Sequence, residues 1–83
     1  TQSPPEKREN EMLELVKGIP GVAQPHNLRT RRIGNHYAIE IHIMMDGDIT
    51  LREAHDKATE VEEVLREHYG KETHVAVHVE PNE

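Results

Sequence analysis

Near its end the sequence reads T-H-V-A-V-H-V-E over residues 73–80 and then meets Pro81. The alternation is that of a strand, so Val75, Val77 and Val79 share one face and His74, Ala76, His78 and Glu80 the other. His78 and Glu80 therefore stand side by side, an imidazole nitrogen beside a carboxylate oxygen. That donor pair suits Zn²⁺, and also Co²⁺, Ni²⁺ or Fe²⁺. His42 lies within I-E-I-H-I at residues 39–43, on the same kind of alternating polar face. His26 and His55 fall in two further stretches. The chain has seven histidines in 83 residues, its one compositional anomaly.

The elements that must position these groups can be read from the pattern. A first helix has Ser3 as N-cap, Pro4 at its first position, Glu6 in its first turn, and an apolar stripe of Met12, Leu13, Leu15 and Val16 before Gly18. G-I-P-G-V at residues 18–22 is a turn. A polar, basic strand follows over residues 26–33, then a tight hairpin at 33–36. The second strand, 37–45, alternates Tyr37, Ile39, Ile41, Ile43 and Met45 against Ala38, Glu40, His42 and Met44. Asp46–Asp48 is an ordinary turn, since it lacks the spacing and the distal Glu of a calcium loop. Thr50 with Glu53 forms a capping box for a second helix, 51–69, with Gly70 as its stop. Its stripe is Ala54, Ala58, Val61, Val64 or Leu65, then His68 or Tyr69.

A strand–helix–strand crossover brings its two strands together in parallel. The fold class expected is therefore α+β, an α-β-β-α-β two-layer sandwich with a three-stranded mixed sheet and both helices on one face. The helices would cover the side of Ile39, Ile41, Val75 and Val77 and leave the other bare. His42 and His78 then meet on the bare face with Glu80, His26 can approach from the first strand, and His55 lies near the end of the second. His36 in the hairpin, His68 at a helix end and His74 are read as surface residues, although His74 shares the open face.

Composition narrows the function. At 83 residues the chain is a single domain, 1–83, with residues 1–5 a polar lead-in and 6–83 the folded part. Hydrophobic content is 34% and there is no Phe or Trp, so the core is thin and a partner subunit or a metal would help it. The net charge of −6 opposes a nucleic-acid partner and favours cations. Without cysteine there are no disulfides or thiolate ligands, which makes copper delivery a poor fit. Serine occurs only at residue 3, so an enzyme is not expected; catalysis by a metal-bound water is the remaining enzymatic reading. The basic cluster Arg29, Arg31 and Arg32 is read as a solvated strand edge that discourages pairing, with an acidic partner or membrane headgroups as the other reading.

Five stretches taken together, H-N-L-R-T-R at 26–31, I-E-I-H-I at 39–43, E-A-H at 53–55, V-E-E-V-L at 61–65 and V-H-V-E-P at 77–81, resemble the cytoplasmic C-terminal domain of cation diffusion facilitator transporters. The likeness runs from about residue 19 to 81. It implies a metallochaperone-like, ferredoxin-related fold that pairs into a V-shaped homodimer. It implies an upstream six-helix domain in an integral membrane protein, which exchanges divalent metal for protons, with this domain in the cytoplasm. It also implies that His26, His42, His55, His78 and Glu80 bind zinc at the dimer interface, drawing the domains together and favouring transport. Glu80 departs from some members, which carry Asp there, and its longer arm bears on bridging and metal preference. Two other readings stand beside metal sensing: a purely structural dimerisation module and a free-standing metal chaperone.

Overall fold

The computed structural model describes residues 5–82. The proposed N-cap Ser3 and Pro4 lie outside them. Five elements follow in order: α1 (Pro5–Lys17), β1 (Ala23–Ile33), β2 (His36–Asp46), α2 (Leu51–Tyr69) and β3 (His74–Asn82). The sheet order is β1-β2-β3, with β1 antiparallel and β3 parallel to β2. This is the mixed three-stranded sheet expected from the pattern. Met12 and Val16 of α1 and Val61 and Leu65 of α2 pack with Ile39, Ile41, Ile43 and Met45 of β2 into one core, all of them essentially inaccessible to solvent. The period-two burial of β2 against the 3.6-residue stripes of the helices sets the two layers.

Two strand boundaries differ from expectation by more than one residue. β1 begins at Ala23, three residues earlier, and runs through Pro25. β3 continues past Pro81 to Asn82. Proline is tolerated in both because each is an edge strand with one side unpaired. Helix cover also ends sooner on β3: Val75 is buried, Val77 half-buried and Val79 40% exposed. The turns follow their residues. Gly34 takes φ +61° while Asn35 does not, so the hairpin has the II′ pattern, with glycine first. Arg29, Arg31 and Arg32 are exposed on the β1 edge. Arg32 and Arg8 both lie over the Tyr37 ring, at 5.4 and 5.2 Å, and Tyr69 meets that ring edge-on at 6.1 Å. This clasp ties all but β3 together at one end, and burial there pushes the Tyr69 phenol pKa up.

The capping box of α2 is complete: Thr50 Oγ1 accepts from Glu53 N at 3.0 Å, and Glu53 Oε1 accepts from Thr50 N at 3.2 Å. Thr50→Ala should therefore cost about 1 kcal/mol, read as a lowered urea midpoint with an unchanged slope.

Candidate metal centre

The face of the sheet away from the helices carries His26, His42 and His78. His26, His42 and His78 form one row across the three strands, since His26 pairs with His42 and His42 with His78. The His42 and His78 rings stack at 4.5 Å with 15° between planes, and the His26 ring lies 5.5 Å from that of His42. Glu80 stands two residues beyond His78 and leans back over the row. Its Oε2 accepts from His42 Nδ1 at 2.8 Å, and its Oε1 lies 3.4 Å from His26 Nε2.

His26 reaches this face only through irregular backbone. From Arg29↔Glu40 to His26↔His42, β1 uses three residues where β2 uses two, and the same happens again between His26 and Ala23. Each extra residue is a β-bulge. The first of these reverses parity: with unbroken alternation His26 would share the core face of Leu28. Asn27 and Gln24 absorb the turns at φ +50° and +45°, left-handed values uncommon outside glycine. The bulge also brings the Gln24 carbonyl to 2.7 Å from His26 Nδ1. A carbonyl only accepts, so Nδ1 carries the proton and Nε2 faces Glu80 with its lone pair in the neutral ring.

One ligand atom from each of His26, His42 and Glu80 lies within 4.8 Å of the others. A tetrahedral ion with bonds of about 2.0–2.2 Å holds its ligand atoms ~3.4 Å apart. The group thus needs only side-chain adjustment, opening the His42–Glu80 contact and closing the longer gap. All three are partly exposed, His42 least at 25%. Glu80 is held below the usual carboxylate range, chiefly by the hydrogen bond from His42, against partial desolvation. It is therefore an ionised oxygen donor at neutral pH. Because its folded value is depressed, this contact adds stability above the ordinary carboxylate range and loses it as pH falls through the folded value.

The other sequence-derived candidates are placed differently. His78 belongs to the row, but its Nε2 is bonded to Glu40 Oε2 at 2.9 Å, outside the three-atom group. His55 is exposed in the first turn of α2 and is not in the group either. Glu40 was not among the residues singled out by sequence. Its signal was its position two residues before His42 on the same polar face.

Comparison with known proteins bears on the fold and the family. A family model described as "Cation efflux protein, cytoplasmic domain" matches residues 4–82. The cation-efflux pump FieF of Escherichia coli is 36% identical over 78 residues, 93% of this chain and 25% of its own. The chain thus spans about a quarter of the length of the curated relatives it matches. A structure solved for the mode of action of the putative zinc transporter CzrB superposes with TM-score 0.79 at 34% identity, over 99% of this chain and 100% of that one. The metal-bound C-terminal domain of the CzcD transporter from Thermotoga maritima gives 0.79 at 26% identity, over 95% and 94%. Among the described residues no helix is long and apolar enough to cross a membrane. With the fold, the open histidine face and these matches together, the chain belongs to the cation efflux (cation diffusion facilitator) family, as the cytoplasmic domain of such a transporter.

Proposed function

We propose that this domain is the dimer-forming metal sensor of a divalent-cation/proton antiporter. It binds Zn²⁺, or a similar divalent transition metal, through His26, His42, His78 and Glu80, with His55 joining where two copies meet. The observation that carries the reading is the convergence of His26, His42 and Glu80 within 4.8 Å on a face that the described residues leave uncovered. The relatives described as a metal-bound domain, a putative zinc transporter and a cation-efflux pump support it. Two copies of net charge −6 repel, and bound cations offset that repulsion. If the closed dimer binds metal more tightly than the open one, metal shifts the population towards closure by that difference in affinity and no more.

Zinc calorimetry with small-angle scattering on the same samples tests this. Saturable binding that compacts a dimer is expected. Imidazole ligates only when neutral, so affinity should fall steeply from pH 7.5 to pH 5. An affinity unchanged across that range would count against histidine ligation.

The bare sheet face also favours a second reading, in which the domain only dimerises. Combining His42→Ala with His78→Ala separates the two. A dimer that persists without its metal response indicates sensing. A dimer lost even in metal-free buffer indicates a structural role.

A further inference from the structure

His26, His42 and Glu80 supply three ligand atoms, one short of a tetrahedral shell. We propose that Glu40 is the orienting carboxylate of His78, presenting the Nδ1 of that ring as a further metal ligand beside the group. This rests on the metal-binding reading above and adds a residue to it.

The argument starts from the hydrogen bond. Glu40 Oε2 lies 2.9 Å from His78 Nε2, and an ionised carboxylate only accepts. His78 Nε2 therefore carries the proton, and in the neutral ring the lone pair sits on Nδ1. Among the described residues no hydrogen bond occupies that Nδ1. The ring is stacked on His42, which itself touches Glu80, so it is the next imidazole to the group; neither of its nitrogens yet lies within 4.8 Å of all three ligand atoms, and ligation requires the side chains to close that gap.

Strand register explains why Glu40 can do this. Glu40 pairs across the parallel ladder with Ala76, and His78 is the diagonal neighbour on the same face. A methyl group at Ala76 leaves the Glu40 side chain free to lean towards His78. The arrangement repeats the logic found at His26, where the Gln24 carbonyl takes the Nδ1 proton and leaves Nε2 for the metal. In each case a partner outside the ligand group fixes the tautomer and the ring orientation, which raises ligand basicity. The two rings present opposite nitrogens because their partners lie on opposite sides of the row.

The test combines nitrogen-15 NMR of the imidazoles with zinc calorimetry on the wild type, Glu40→Ala, Glu40→Gln and the Glu40→Ala/His78→Ala pair. Glu40 is half-exposed on the face away from the core, so all should fold, which circular dichroism checks. In the metal-free wild type His78 should show the Nε2–H tautomer, and zinc should shift its Nδ1. Glu40→Ala should lose that tautomer preference and bind zinc about 10- to 100-fold more weakly. Glu40→Gln should stay within a few-fold of wild type, because its amide oxygen accepts the same bond. That result separates orientation from simple loss of charge. In the double variant, loss of Glu40 should add nothing to loss of His78.

An Nδ1–H tautomer in the metal-free wild type, zinc on Nε2, or wild-type affinity in Glu40→Ala would overturn the role of Glu40 while leaving the metal centre standing. A wild type that binds no zinc would remove both.

Discussion

His42→Ala is expected to weaken zinc binding by about 100-fold or more, equivalent to ~2.8 kcal/mol at 1.4 kcal/mol per tenfold, with little change in the unfolding midpoint. No other side chain is as central to the site. His42 occupies the middle strand, bonds Glu80 at 2.8 Å, stacks on His78 and faces His26. Removing it deletes one ligand and also the contact that holds Glu80 over the row. The effect should therefore exceed that of His26→Ala, which deletes an edge ligand alone. The fold should tolerate the change because His42 points away from the core built on Ile41 and Ile43. Calorimetry and urea unfolding on the same variant check both halves. Zinc affinity within threefold of wild type would remove His42 from the site.

The second large effect is expected at a residue that touches no ligand. Asn27 holds φ +50° in the bulge that turns His26 onto the open face. Asparagine tolerates that region, whereas a β-branched side chain does not. Asn27→Val should therefore either keep the bulge at a cost of about 1–2 kcal/mol or lose it. Losing it slips the parity of β1 and turns His26 towards the core side. In either case zinc binding should weaken by about tenfold or more, since His26 is displaced or strained. Asn27→Gly, which takes positive φ freely, should retain wild-type affinity. Equal affinity in both variants would show that the bulge does not set the site.

These two residues also mark how far the linear pattern reaches. The order of elements, the capping box at Thr50, the buried face of β2 and the meeting of His42, His78 and Glu80 on the bare face follow from alternation and helical period. Both are local properties, settled by residues two to four apart. Pro81 misled the end of the last strand, because proline marks a boundary only where its N–H would have been paired, and strand order alone says which strands are edges.

The parity of His26 was not legible in the same way. No glycine announces the bulges; Gln24 and Asn27 adopt left-handed backbone because pairing with β2 requires two extra residues there, and that requirement is non-local. The direction of a side chain within its face is likewise a matter of neighbours. His78 turns to Glu40 across the small Ala76, His42 turns to Glu80, and His55 stays on the α2 surface apart from the group. Residue type and spacing placed His42, His78 and Glu80 on one face of the sheet. Register, bulges and the hydrogen bonds across three strands decided which nitrogen of each ring is left to meet a metal.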